Sequence, residues 1–227
     1  MRARLCIISA NLGSYDPPPV WAEQEAPEAW EIERHHYTDA NFPPRTKAMT
    51  SRLQPGLLKM LGWEFLPGRD AYLWVDSSRS VTDSGYAAWM LAQLGCAHMA
   101  VYRHPLRSSA AAEAAYMLER MRAPHLRRSR YLLSRYEGEW IEEQLAAVKA
   151  DAGYADDHLY ATTALIYRPT GPVRAAMREW WWHKTRYCLH DQLVLPYLLW
   201  RHGVEHNVIE ESVYDQARWA YSRPRGV

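Results

Sequence analysis

Five consecutive residues, Ala71-Tyr72-Leu73-Trp74-Val75, are apolar and run straight into Asp76-Ser77-Ser78. A strand that is apolar at every position has no solvent face, so it belongs inside a sheet covered on both sides. Leu5-Cys6-Ile7-Ile8-Ser9-Ala10 has the same character and is followed by Asn11 and Gly13. Ala97–Tyr102, Leu159–Arg168 and Val204–Ile209 read as further strands, and Trp30–Tyr37 as a weaker one. Helical windows alternate with them, which predicts an α/β chain: one domain over residues 1–227 with a mixed, mostly parallel central sheet flanked by helices.

The helices are expected at Lys47–Leu61 (closing at Gly62), from a Ser84 cap to Leu94 (stopped by Gly95), at Ser109–Met121 and Glu139–Ala150, then at Val173–Tyr187 and Gln192–Trp200. Pro124 is expected to end the third of them. Residues 14–44 hold six prolines and read as a long irregular loop of functional rather than linker type. Residues 220–227 read as a loose tail.

Twenty-seven basic residues stand against twenty-six acidic ones, for a net charge of +1. That balance excludes a protein holding nucleic acid by bulk charge, though not a local patch. Arg103 to Arg135 carries eight arginines against Glu113 and Glu119, and Glu137 to Asp157 carries seven acidic residues against Lys149. The two segments either pair or form solvated faces; alternatively the basic one faces a phosphate-bearing substrate. Cys6, Cys96 and Cys188 have neither disulfide nor zinc spacing and fit a reducing compartment. No apolar run approaches transmembrane length and the first residues make too short a secretory core, so a cytoplasmic location is expected. Eleven Trp and fifteen Tyr against two Phe give most aromatic rings a polar handle, suited to half-wet walls that stack on sugars or bases and also to ordinary packing.

In open α/β sheets, ligands bind beyond the carboxyl ends of the strands. Those ends carry Asn11, Asp76, Arg103-His104 and the turn after Arg168. Asp76, fixed by a buried strand, is either a ligand for a hard divalent cation or the cap of its own turn. Asp191 is either a helix N-cap or a carboxylate that takes a proton from, or anchors, a sugar hydroxyl. His190 and His183 are either structural or metal and phosphate ligands. Arg45 and Lys47, with Arg52 near, open the first predicted helix against its dipole, which an anion would offset; a solvated face is the alternative. Arg103, His104 and Arg107 surround a strand end that would attract a diphosphate. Glu113 lies on a small-residue helix face and calls for an Arg partner or a sugar hydroxyl.

There is no Gly-x-Gly-x-x-Gly, no P-loop, no Gly-x-Ser-x-Gly elbow and no His-Glu-x-x-His. Four blocks instead carry a resemblance: Tyr72-Leu-Trp-Val-Asp76, Arg103-His-Pro-Leu-Arg107 with Glu113-Ala114, Trp181-Trp182, and His190-Asp191-Gln192. In order and spacing, from about Arg45 to Leu199, the chain resembles the glycosyltransferase-like domain of plant mucilage-synthesis and turgor-regulation proteins and their bacterial relatives. The resemblance implies a GT-A-type nucleotide-diphospho-sugar transferase. Trp74-Val-Asp76 takes the place of the metal-binding Asp motif; His104, Pro105, Arg107, Glu113 and Ala114 match the family's second block, and Tyr131 and Gln144 match a later region loosely. The family usually has Arg-Asp-Gln where this chain has His190-Asp191-Gln192. Asp76-Ser77-Ser78 also lacks the second carboxylate of an Asp-x-Asp pair, so metal binding would need His190, His183 or substrate phosphates, and a metal-independent enzyme stays open.

The resemblance thus implies a donor whose base and ribose lie near Asn11 and the loop to Tyr15. Its diphosphate would be held by Asp76-bound Mn²⁺ or Mg²⁺ and by Arg45, Lys47 or Arg107, with Trp74, His104 and Gln192 completing the donor site. Asp191 is the expected base or sugar-orienting carboxylate, with Glu113 in reserve and His190 a second metal ligand. The expected acceptor is a glycan. The alternatives are a hydroxylated base in DNA, flipped into an aromatic pocket, or a non-catalytic module that binds sugar or nucleic acid.

Overall fold

The computed structural model describes residues 1–123, 125, 127–214 and 217–222, and of 127–129 the backbone alone. The run Ala71–Val75 (β3) is buried at every residue. It is central in a six-stranded sheet with Ala3–Asn11 (β1), Trp30–Thr38 (β2), Met99–Arg103 (β5), Tyr160–Tyr167 (β6) and His206–Ile209 (β7), in the order β2-β1-β3-β6-β5-β7. The β1 pairings with β2 and β3 are parallel, as is β5 with β7, and β6 runs antiparallel to both its neighbours. Five strands therefore point one way, and the mixed, mostly parallel sheet expected from the sequence is present.

Alternation along the strands builds two cores. Cys6, Ile8, Tyr72, Trp74, Val101, Leu165 and Tyr167 face one side and pack with Leu58, Met60, Trp180 and Leu198. Those four come from helices Gln54–Phe65 (α1), Gly171–Arg186 (α6) and Leu195–Arg201 (α7). Leu5, Ile7, Leu73, Val75, Ala100 and Ile166 face the other side, against helix Tyr86–Leu94 (α2) and Trp219. A side chain of this kind, fully buried, contributes about 1.5–3 kcal/mol. A third cluster gathers Ala114, Met117, Leu132, Tyr136, Ile141 and Leu193 from Ala110–Met121 (α3), Arg127–Tyr136 (α4), Ile141–Lys149 (α5) and the 3₁₀ turn Asp191–Leu193.

Some elements start elsewhere than expected. Helix α1 begins at Gln54, with Pro55 in its first turn, so Arg45 and Lys47 lie exposed in the preceding loop and do not open a helix. Neither residue therefore opposes a helix dipole. Ser84 does not cap α2: its hydroxyl donates to Glu25 Oε1 at 2.7 Å and Gly85 is the N-cap. Ser109 does cap α3, accepting from Ala112 N at 3.1 Å. Residues 14–29 run beside the short strand Arg79–Val81 (β4), with Ala22 N donating to Val81 O at 2.8 Å. The expected tail opens inside a strand, Trp219–Tyr221 (β8), antiparallel to β4. Residues 223–227 and Pro124 lie outside the described residues.

Candidate active site

From β1 the chain steps to β2 on one side and then crosses to β3 on the other, so a switch point falls between the carboxyl ends of β1 and β3. Asp76 stands there. Its amide donates to Thr163 O at 2.8 Å, and the following turn closes through Arg79 N to Asp76 O at 3.0 Å. The carboxylate itself turns back, accepting from Trp74 Nε1 at 2.7 Å. Because Trp74 and Asp76 are two residues apart, both address the α1/α6 side of the sheet.

On that side Lys59 of α1, only 3% exposed, places its ammonium 2.7 Å from Asp191 Oδ2 and 3.9 Å from Asp76 Oδ1. The same ammonium lies 5.7 Å from the ring centroids of Trp74 and of Trp180. Lys184 of α6 bonds Asp191 Oδ1 and donates to Leu189 O at 2.9 Å. Trp180 Nε1 donates to Asp191 O at 3.0 Å. Asp76 and Asp191 thus share one cation and one side of the domain. Asp191 makes no side-chain cap; it anchors the two lysines.

The two carboxyls are tuned apart. Burial alone would raise Asp191, but Lys184 and Lys59 more than offset it and hold the group well below the usual carboxylate range. For Asp76, enclosure by protein wins: its pKa is raised despite Lys59 and the Trp74 N–H, and Asp191 adds to the rise. Its side chain nevertheless keeps 38% of its surface open to solvent, against 15% for Asp191.

A second cluster adjoins the first. Arg107 pairs with Glu113 Oε2, and Glu113 Oε1 lies 3.1 Å from His190 Nε2. His190 Nδ1 lies 3.2 Å from the Tyr136 hydroxyl. Burial opposes ionisation of Glu113, but the His190 contact, with Arg107 and His104, brings its pKa below the ordinary value. A carboxylate that orients an imidazole bonded to a hydroxyl can pass a proton along that line. His104 is buried and its Nδ1 accepts from Leu106 N at 3.3 Å and Arg107 N at 3.0 Å, so it locks the turn before α3.

The rim is basic and aromatic. Tyr15 receives a bond from Ser51 Oγ at 3.2 Å, Arg52 lies 5.4 Å over the Tyr15 ring, and Arg52 Nη1 bonds Ser134 O on α4. Arg135 of α4 bonds the Tyr131 hydroxyl and is close enough to Asp76 for its positive charge to be favoured by that carboxylate.

Of the residues singled out in the sequence, Trp74, Asp76 and Asp191 meet around Lys59, and Glu113, Arg107 and His190 meet beside them. Asn11 ends β1 but is spent on its own loop, donating to Asp16 O at 2.7 Å. Gln192 follows Asp191 in the 3₁₀ turn, half-buried. Arg45 and Lys47 make no ion pair among the described residues. His183 packs on Trp182 and Tyr187 with Glu179 near. Arg103 pairs with Glu210 at 2.6 Å. The basic and acidic segments therefore do not neutralise one another there: Arg103 and Arg107 find partners outside 137–157. Lys59, Lys184 and Tyr136 are not singled out by the sequence as site residues, and Arg135 enters only as the last arginine of the basic segment. The available signal for Lys59 was a lysine set among Leu57, Leu58, Met60 and Leu61 in a chain with four lysines.

The side chains at Asp76 fit a divalent cation poorly. One Asp76 oxygen is taken by Trp74, both Asp191 oxygens by lysines, and both His190 nitrogens by Glu113 and Tyr136. A divalent ion on Asp76 would also meet the fixed Lys59 charge, a repulsion on the order of 5 kcal/mol at an effective dielectric of about 20. The trio among the described residues that could hold a metal is Cys6, Glu33 and His35, on β1 and β2. There Arg69 already grips both Glu33 oxygens, at 2.5 and 3.0 Å. Two surface recesses, of about 480 and 530 Å³, lie near Gly68 and likewise away from Asp76.

No family model matches the chain, and no curated protein matches it. Among solved structures it is similar to a glycosyltransferase involved in the glycosylation of the major capsid of PBCV-1. The identity is 9% and the TM-score 0.44, over 91% of this chain and 81% of that one. No helix among the described residues is long and apolar enough to cross a membrane.

Proposed function

We propose that this protein is a glycosyltransferase that moves a sugar from a nucleotide-diphosphate donor to a hydroxyl of a glycan. The observation that carries the reading is Asp76: a carboxylate with an open face, fixed at the switch point of the sheet and sharing Lys59 with Asp191. Its raised pKa suits a proton acceptor, whereas Asp191, with both oxygens on ammonium groups, suits an anchor. The base role expected for Asp191 is therefore assigned to Asp76.

In the proposed step the acceptor oxygen bonds to the anomeric carbon while the bond from that carbon to the diphosphate oxygen breaks. The bonding pair leaves with the diphosphate, and the acceptor proton passes to Asp76. Tyr15 and the neighbouring rings form the wall on which the base or sugar lies. A glycan is favoured over duplex DNA because Arg103 and Arg107, which would have gripped phosphates, are held by Glu210 and Glu113.

The test is release of nucleoside diphosphate from a panel of nucleotide-sugars, with thermal shifts measured alongside. At least one donor is expected to stabilise the protein and to be turned over by wild type but not by Asp76→Asn. If no donor shifts or turns over, the reading is wrong and a binding module takes its place.

A further inference from the structure

Resting on the transferase reading, we propose that the departing diphosphate is received by the guanidinium of Arg135 in place of a divalent ion. Three observations converge on this.

The first is that, apart from one Asp76 oxygen, the ligand atoms a metal would need from Asp76, Asp191 and His190 are already engaged. Trp74 Nε1 sits on Asp76 at 2.7 Å, the Lys59 ammonium is 3.9 Å from the same oxygen, and Asp191 and His190 have no free ligand atom. A fixed cation thus already stands near the carboxylate.

The second is that Arg135 pairs with no acid among the described residues. Among the described residues its hydrogen-bond partner is the Tyr131 hydroxyl, its guanidinium carbon lies 5.2 Å from the Tyr131 ring centroid and 5.7 Å from that of Tyr136, and no carboxylate pairs with it. Arg103 and Arg107, by contrast, are bound by Glu210 and Glu113. A half-buried guanidinium kept between two tyrosines retains N–H groups for an anion, and its planar fork matches two phosphate oxygens.

The third is that Arg135 belongs to the site's rim. Arg52, 5.4 Å over the Tyr15 ring, ties the helix of Arg135 to the loop before α1 through Ser134 O; Asp76 favours the Arg135 charge, and that charge in turn favours ionisation of Tyr15. The electron pair released when the anomeric bond breaks lands on a diphosphate oxygen, and Arg135, next to the Tyr136 whose hydroxyl lies 3.2 Å from His190, is a cation that can meet it without giving up an acid partner among the described residues.

The experiment is calorimetric titration of uridine, guanosine, cytidine and thymidine diphosphates into the full chain, once in EDTA and once in Mn²⁺. One of them is expected to bind in EDTA, with Mn²⁺ changing its Kd by less than about threefold. Arg135→Gln is expected to weaken it by about tenfold or more and Arg135→Lys by less, since a point charge replaces the fork. Near-ultraviolet circular dichroism checks that both variants keep the wild-type fold, and the EDTA comparison needs no variant. Binding that appears only with Mn²⁺ overturns this inference and leaves the transferase reading standing. Binding in EDTA that Arg135→Gln does not weaken overturns the role of Arg135. If no diphosphate binds in either buffer, the transferase reading falls and this inference with it.

Discussion

Lys59→Met removes the ammonium that Asp191 and Asp76 share while leaving an unbranched side chain between Trp74 and Trp180. Breaking a buried ion pair by deleting one partner costs about 3–5 kcal/mol. Asp191 keeps Lys184, so the lower part of that range applies, and the lost contacts to two indole faces add about 0.5–1 kcal/mol each. The expected loss is about 4–5 kcal/mol at pH 7, out of a total of about 5–15. For a chain of this size that lowers the Tm by about 8–20 °C. The pH dependence is the sharper check. The folded Asp191 carboxyl lies below its ordinary value of about 3.9, so its stabilisation is complete above that value and fades as pH falls through the folded pKa. Without Lys59 the depression is smaller. The gap in stability between wild type and variant is therefore widest above about pH 5 and narrows below about pH 4. Urea unfolding at pH 7, 5, 4 and 3, followed by tryptophan fluorescence, measures it. A gap under about 0.5 kcal/mol, or one unchanged from pH 7 to 3, would refute the assignment of Lys59 as the shared counter-ion.

Asp76→Asn is expected to cost activity by about a hundredfold or more while leaving the Tm at pH 7 unchanged or higher. A carboxyl whose folded pKa is raised stabilises most at low pH and loses that contribution as pH rises, so the amide relieves a penalty; a clear loss of Tm would contradict this. Burial pushes the Cys6 and Cys188 thiols up to about 12, whereas Cys96 is exposed. Ellman's reagent at pH 8 should therefore titrate one thiol in the native protein and three in urea, and a second fast native thiol counts against the burial described. Asp156→Ala removes the carboxylate that accepts from Ala110 N and Ala111 N at 2.8 and 2.9 Å, and should lower stability by about 1–2 kcal/mol even with the Ser109 cap intact. Gly56→Ala would put a methyl 2.4 Å from Lys184 Cε, so it should cost about 1–3 kcal/mol and shift the Asp191 carboxyl carbon in an NMR titration; an unshifted signal would mean that Lys184 gives way freely.

The parts of the fold that were legible are those whose sequence has one physical solution. An unbroken apolar run such as Ala71–Val75 can only be a covered strand, and Asp76 at its end can only emerge at the sheet margin. Ser109 followed by the alanines of α3 fixed that helix start for the same reason. The start of α1 was misplaced because no side chain caps it; the informative residue was Pro55, which suits a first turn and not a helix interior. Helix α4 is so rich in arginine and serine that its apolar stripe reduces to Leu132 and Tyr136, four residues apart on one face. Strands β4 and β8 are three residues each and pair across about 140 residues of chain, which leaves no local trace. Lys59 was missed on the same ground: its partner Asp191 is 132 residues away, and only the packing of α1 against α6 brings them together.

That packing also explains why two aspartates at the same end of the molecule take different parts. Asp191 follows the helix that carries Trp180 and Lys184, so the elements that bury it also deliver two ammonium groups and a backbone anchor. A carboxylate so compensated is a permanent anion, stable and unreactive. Asp76 leaves its strand at the switch point, where the sheet cannot cover it completely, and it has only a distant share of Lys59. Its enclosure is enough to raise its pKa, while 38% of its side chain stays open to solvent. The proton transfer proposed for Asp76 calls for a carboxylate that takes up a proton more readily than an ordinary one, and the environment favours that at Asp76 by withholding from it the full neutralisation given to Asp191.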